Sequence, residues 1–345
     1  MGTDSQHGIT WATRALGPLD RARRAILKSL GKPAVVVLRN RELRVGLGGL
    51  SVVSCSILGT LLAPFWMLTL GPVLLGTAHL VADFRYLVVR PGLHLRKPLW
   101  IAVGVPLALA GMGQFSVISG LIACAAAAVL SQGSLRRKTM ALGCLIPLTA
   151  GAALIGPLSG LIVAHLHNFI AFFVWWMWRP RVGWSAWILP PAFLLCVSVL
   201  LLGAPEAWAP GMTSQQPAGL GAEYHLAFLA PGADEPWGTR LVLLFAFAQS
   251  VHYGVWLRLI PDDDRVQPTP RTFRASVRAL RADLGSPLLW GACLVALGIA
   301  AWAVVDLAEA RDGYFRMALF HGYLEFAALT CLWVEADKRP LPAGA

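Results

Sequence analysis

The stretch TMALGCLIPLTAGAALIGPLSGLIVAHLHNFIAFFVWWMW, residues 139–178, contains no Asp, Glu, Lys or Arg. It is flanked by Arg136, Arg137 and Lys138 on one side and by Arg179 and Arg181 on the other. About 20 apolar residues of helix cross the ~30 Å hydrocarbon core of a bilayer, so the stretch holds two passes. Gly156-Pro157 marks the turn between them. Lys and Arg accumulate on the cytoplasmic side of membrane helices, so both ends lie inside and the turn lies outside. The second arm carries two histidines, His165 and His167, at membrane depth.

The same reading extends along the chain. Apolar runs fall at 46–63, 67–89, 98–113, 115–133, 139–154, 157–178, 183–203, 238–259, 287–306 and 314–334. The segments assigned to the inside carry Arg85, Arg90, Arg96 and Lys97, then Arg136–Lys138, then Arg179 and Arg181, then Arg258 through Arg281, then Lys338-Arg339. The turns near 64, 113 and 156 and the loop 204–237 carry no Lys or Arg. Arg311 and Arg316, before the last run, break the pattern. The expectation is an all-α, polytopic integral membrane bundle of about ten transmembrane helices in a bacterial-type inner membrane, with both termini cytoplasmic.

Composition agrees. Of 345 residues, 57% are hydrophobic and 14% charged, with a net charge of +11 and mean hydropathy +0.62. A soluble protein carries nearer a quarter charged residues. The positive charge sits between apolar runs, which implies anionic lipid headgroups as partners and not nucleic acid. The six cysteines, Cys55, Cys124, Cys144, Cys196, Cys293 and Cys331, lie within apolar runs without a CxxC pair and read as packing residues. Residues 1–44 form a basic segment in which Trp11, Leu19, Ile26, Leu27 and Leu30 are interleaved with arginines, a pattern for an amphipathic helix on the cytoplasmic leaflet. Its first sustained apolar run starts too late for a cleavable signal peptide. The bundle spans 45–335, with an outer loop at 204–237, a cytoplasmic loop at 261–286 and a tail at 336–345. The cytoplasmic loop starts Pro261-Asp262-Asp263-Asp264, and its Phe273, Val277, Leu280 and Leu284 recur at helical spacing, which predicts a second interfacial helix. Trp175, Trp176 and Trp178 suit an aromatic belt.

Titratable groups at membrane depth are costly and mark function. Five of the eight histidines lie inside predicted helices: His79, His165, His167, His252 and His321. Asp83 and Glu325 accompany them. The histidines fall on the second, sixth, eighth and tenth runs, all running from outside to inside, at similar depth. His79 and Asp83 are four apart and share a helix face, as do His321 and Glu325. Each carboxylate would bind a metal directly or accept an imidazole N–H. His165 and His167 are about 200° apart around a helix, so one of the two faces the site. Imidazole and carboxylate without thiolate suit iron, zinc or copper, and open positions suit non-haem Fe(II) with O₂. Asp83 is expected to point inward, and Arg85 to snorkel to the headgroups. Phe169, Phe172, Phe173, Phe245 and Phe247 supply an apolar surround.

Two alternatives use the same residues. Haem is less favoured, because no helix carries two histidines about four turns apart. A proton- or ion-coupled transporter would also place His, Asp and Glu at the midplane, but no long inverted repeat is visible.

Gly76-Thr-Ala-His79-Leu-Val-Ala-Asp83 resembles the first histidine motif, GxxHGxxD, of the Brp/Blh family of membrane carotene dioxygenases. His321-Gly322-Tyr-Leu-Glu325 is similar to that motif with Glu for Asp. Gln249-Ser250-Val-His252 resembles the family's HSxxH element, with Gln in place of the first His and a different spacing. The likeness covers about thirty residues. It implies a polytopic fold and iron held by histidines from several helices. The expected activity is an oxygenase or desaturase-type oxidoreductase acting on a carotenoid-like or lipid substrate, with Fe(II) on His79, His252, His321 and one of His165 or His167. The partners are the bilayer, a hydrophobic small molecule and an electron donor.

Overall fold

The computed structural model describes residues 14–336, apart from 114–115, 182, 184–186, 204–216 and 218. Two short helices, α1 (Gly17–Ser29) and α2 (Gly31–Arg39), precede α3 (Arg41–Leu62). Asn40 caps α3 by accepting Leu43 N–H at 3.0 Å, a common use of Asn before a first turn. α4 (Pro64–Asp83) starts on Pro64, whose missing N–H costs nothing at a first turn, and continues as a π-helical turn over Phe84–Val89. Next come α5 (Lys97–Gly111), α6 (Ser116–Leu130), α7 (Leu135–Ile155), α8 (Leu158–Met177) and α9 (Leu189–Leu201). A short helix α10 (Ala222–Leu229) precedes α11 (Trp237–Gly254), which runs on through a π turn at Val255–Leu259 to Asp263. The chain closes with α12 (Phe273–Val305), α13 (Leu307–Ala318) and α14 (His321–Val334).

Among the described residues there is no strand. Seven helical spans are long and apolar enough to cross a membrane: Arg41–Leu62, Pro64–Val89, Leu135–Ile155, Leu158–Met177, Trp237–Asp263, Phe273–Val305 and Leu307–Val334. α5, α6 and α9 are apolar but shorter. The outer surface is apolar as well: Leu154, Val304 and Val305 are each more than four-fifths exposed. Such a belt fits lipid as solvent, because a soluble monomer rarely exposes contiguous apolar area of that extent.

Burial ranks the helices. Of the apolar stretch of Trp237–Asp263, 78% is buried, so this span runs through the interior of the bundle, while only 6% of the apolar stretch of Phe273–Val305 is buried, at the edge. The Trp237–Asp263 span therefore carries His252 into the interior. Small residues let neighbours close in. A Cβ at Gly254 would lie 2.3 Å from Val52, and one at Gly49 would lie 2.4 Å from Leu189, so α3 packs tightly on both α11 and α9.

Several expectations are corrected. The last apolar run does not begin at 314; its helix begins at Leu307, where Asp306 accepts the Glu309 N–H at 2.9 Å. The loop 204–237 contains α10; its residues 204–216 lie outside the described ones, as does the tail from 337. The predicted helix with Phe273 and Leu284 and the run 287–306 are, as expected, two helical arms; within α12 they meet at a kink where Gly285 (φ +77°) leaves the helical conformation. Only glycine takes that φ without strain. Arg85 does not snorkel. It is 5% exposed and pairs with Asp283 at 2.7 Å, while also donating to Tyr86 OH at 3.1 Å. The π turn that carries it packs against α12 and α14, which buries the guanidinium beside Asp283.

The Asp262-Asp263-Asp264 run is buried charge rather than loop surface. Arg44 donates twice to Asp262, at 2.8 and 2.9 Å. Arg181 and Trp175 Nε1 both donate to Asp263, at 2.6 and 2.7 Å, and Arg90 pairs with Asp264. Fork-shaped Arg–carboxylate pairs fix geometry as well as energy. They lock the ends of α3, α8 and α11 together at the arginine-rich face of the bundle.

Candidate metal centre

Helices α4, α8, α11 and α14 bring four imidazoles into a ring. His79 meets His252 and His321 edge to face at centroid distances of 5.2 and 5.0 Å. His167 closes the ring against His252 and His321, at 5.1 and 5.2 Å. Ligating atoms of His79, Asp83, His252 and His321 all lie within 4.8 Å of one another. His79 Nε2 is 4.0 Å from Asp83 Oδ2, and His252 Nε2 is 3.7 Å from Glu325 Oε1. These separations exceed a hydrogen bond. They match donors placed around one ion, where bonds of about 2.0–2.2 Å put neighbouring ligands roughly 3–4 Å apart.

His79, Asp83, His252 and Glu325 are each 1% exposed. Both nitrogens of His79 and of His252, and His321 Nε2, are buried without a hydrogen-bond partner among the described residues, and the Asp83 and Glu325 carboxyls are buried against each other, with Trp256 beside Glu325. Each such atom costs about 1–3 kcal/mol. Together they would consume a stability that is typically only about 5–15 kcal/mol. A cation in their midst relieves much of that cost: one nitrogen of each ring and the carboxylate oxygens can ligate it, and a ring's other nitrogen, as N–H, can donate to a carboxylate. The residues present therefore fit a metal ion.

The helices also orient the rings. His167 Nδ1 bonds the Ala164 carbonyl at 2.8 Å and His321 Nδ1 bonds the Ala318 carbonyl at 2.6 Å. Tied to the preceding turn through Nδ1, His321 contributes to the cluster within 4.8 Å, while His167 borders it through its ring contacts with His252 and His321. Asn168 donates to Ala164 at 3.1 Å and lines the cavity above. Ser250 donates to Ala246 at 2.7 Å and has no catalytic geometry.

His165 is not in the ring. Its Nε2 bonds the carbonyl of Leu229, at the end of α10, at 2.9 Å, and its ring packs on Phe245 at 5.0 Å. The two-residue offset turns it away by about 200°. Of the five phenylalanines expected around the site, only Phe245 lines the cavity. Phe172 and Phe247 pack on Phe193 in the core, Phe169 packs against it from the side, and Phe173 is half exposed.

A cavity of about 460 Å³ adjoins the ring, a volume within the usual range for small-molecule sites. Its walls are largely apolar, with Leu161, Val163, Phe228, Leu229, Phe245, Phe315 and Leu319, and His79, His167, His252 and His321 lie at one end. Beyond the histidines, Leu87, Val255 and Trp256 are fully buried. Two π turns begin one to three residues after Asp83 and His252. Such turns often sit at functional sites, because they re-aim the side chains around them.

Sequence reading missed the far end of the cavity. α10 lies over it, held by Arg311, which is fully buried. Arg311 donates to Tyr224 OH at 3.0 Å and to Asp312 at 2.9 Å, and Tyr224 donates to Asp312 at 2.6 Å. Arg311 Nε also donates to the Leu68 carbonyl at 3.1 Å. That carbonyl would normally bond the N–H of residue 72, which is a proline. The arginine that breaks the charge rule and the proline in mid-helix are each other's remedy, a pairing that the sequence does not show because the two lie far apart along the chain. His225 on α10 is fully buried and stacks on Phe65 at 5.3 Å, and burial pushes its pKa down to about 4.

In comparisons with protein-family models, with curated proteins and with solved structures, nothing matches this chain.

Proposed function

We propose that the chain is a multi-pass enzyme of an inner (cytoplasmic) membrane, with ten transmembrane helices and both termini cytoplasmic, that uses iron to oxidise a lipid-soluble substrate with O₂. The observation that carries the reading is the convergence of His79, Asp83, His252 and His321 within 4.8 Å at the end of an apolar cavity. The span count rests on the seven long helices plus α5, α6 and α9.

His79, His167, His252 and His321 would hold the ion, with Asp83 and Glu325 balancing its charge as ligands or as acceptors behind the rings. Iron with imidazole ligands and an open position supplies one-electron chemistry with O₂. The chain's own residues do the rest. Leu161, Phe228, Phe245 and Phe315 bind and orient an apolar substrate beside the ring. Buried Leu87, Val255 and Trp256 close the opposite side and exclude water. That plug favours an enzyme over a transporter, which needs polar access from both faces. The likeness of 76–83 and 321–325 to the histidine motifs of the Brp/Blh carotene dioxygenases supports iron held by histidines from several helices, and the apolar cavity supports a lipid-soluble substrate.

The test is oxygen uptake by the purified protein in nanodiscs, loaded with Fe(II) and supplied with polyenes or unsaturated lipids, with product analysis and with and without a chemical reductant. Substrate-dependent uptake that His79→Ala abolishes is expected. No uptake with any substrate, together with proton flux in sealed liposomes, would replace the enzyme with a transporter.

A further inference from the structure

The end of the cavity remote from the histidines is charged. Asp312 and Arg316 line it, one turn apart on α13. Arg316 lies five residues before His321, about 8 Å along the helix axis. Asp312 lies about 13 Å before it by the same measure. Three arginines occur at this end of the bundle. Arg240 donates to the Leu201 carbonyl at 3.0 Å, and Arg311 is consumed by Leu68, Tyr224 and Asp312. Arg316 makes no hydrogen bond or ion pair with any described residue. Asp312, four residues away on the same face, is already held by Arg311 and Tyr224. Arg316, exposed and without a hydrogen bond or ion pair to any described residue, thus lines the same largely apolar cavity as the imidazole ring.

We propose that the cavity binds an apolar chain that ends in a single anionic group, a carboxylate, with Arg316 taking that group and the chain running to the histidines. Guanidinium matches carboxylate with two parallel N–H donors. The walls between are largely apolar, with Ser116, Asn168 and Gln249 among their few polar side chains, and Arg316 is the one cationic side chain among the lining residues. The inference rests on the proposed oxygenase only for what happens at the histidine end.

Binding, not turnover, tests it. The protein, purified with whatever metal it carries, is placed in zwitterionic nanodiscs. It is titrated with a fluorescent conjugated polyene fatty acid, with its methyl ester and with the corresponding hydrocarbon. A charge-assisted contact of this kind predicts about tenfold tighter binding of the acid than of the ester. In Arg316→Gln the preference should fall below about threefold, while Arg316→Lys, which keeps the charge but not the two parallel donors, should keep only part of it. Equal affinity for acid and ester on the native protein overturns the proposal, as does an unchanged preference in Arg316→Gln. The guanidinium could instead serve an anionic phospholipid headgroup. In that case nanodiscs of anionic lipid would abolish the acid's preference, and the proposal would fall. Preference retained in both lipids supports it. A protein that binds the acid selectively but holds no iron would sink the oxygenase and leave the carboxylate site standing.

Discussion

Replacing Arg311 with Met removes three hydrogen bonds from a fully buried guanidinium. Met keeps much of the volume, so packing changes little. Asp312 is partly exposed and is rescued by water, so the loss there is small. The Leu68 carbonyl is not rescued. Pro72 cannot supply the usual N–H, so the carbonyl becomes a buried orphan costing about 1–3 kcal/mol. Loss of the charged bond to Tyr224 adds roughly 1.5–3 kcal/mol. A destabilisation of about 3–5 kcal/mol is expected, measured by equilibrium unfolding in detergent. The origin is separable by a double-mutant cycle. Pro72→Ala restores an N–H to the Leu68 carbonyl, so it should stabilise Arg311→Met by about 1 kcal/mol more than it stabilises the native chain. An Arg311→Met protein within about 0.5 kcal/mol of native refutes the reasoning. So does a Pro72→Ala effect of equal size in both backgrounds.

Further predictions concern the site and its cover. A Cβ at Gly76 would lie 2.3 Å from the Tyr314 ring beside His79; Gly76→Ala should cost about 1–3 kcal/mol, checked by thermal unfolding. Asp83→Asn and Glu325→Gln should each weaken metal affinity about 10–100-fold, checked by competition with a chelator. His225 has a pKa near 4 when docked and about 6.5 when free. The undocked state therefore takes up the proton first, and the docking of α10 loses stability as pH falls from about 6.5 towards 4, by at most ~3 kcal/mol. Hydrogen exchange of residues 222–229 at pH 7 and pH 5 should show faster opening at the lower pH, and His225→Phe should remove the difference.

The membrane fold was legible because lipid imposes apolar runs about one helix long, and the Lys/Arg bias marks their ends. The site was legible where spacing decides facing, as with His79 and Asp83 or His321 and Glu325. His165 and His167 show the limit: the two-residue offset demands that one turn away, but only packing against α11 and α14 selects His167. The cover was illegible because α10 lies in a Gly- and Pro-rich loop and owes its position to partners far along the chain, Arg311 and Asp312. Arg85 was misjudged for a related reason. Its partner Asp283 is 198 residues away, on the near arm of a helix that bends at Gly285.

Metal content of the purified protein by mass spectrometry, for native chain and single His→Ala variants, tests the central claim most directly. About one iron per chain is predicted in the native protein. His79→Ala, His167→Ala, His252→Ala and His321→Ala should lose it, while His165→Ala, whose ring faces the Leu229 carbonyl, should keep it. No metal in the native protein or on reconstitution, or loss in His165→Ala with retention in His167→Ala, would contradict the account.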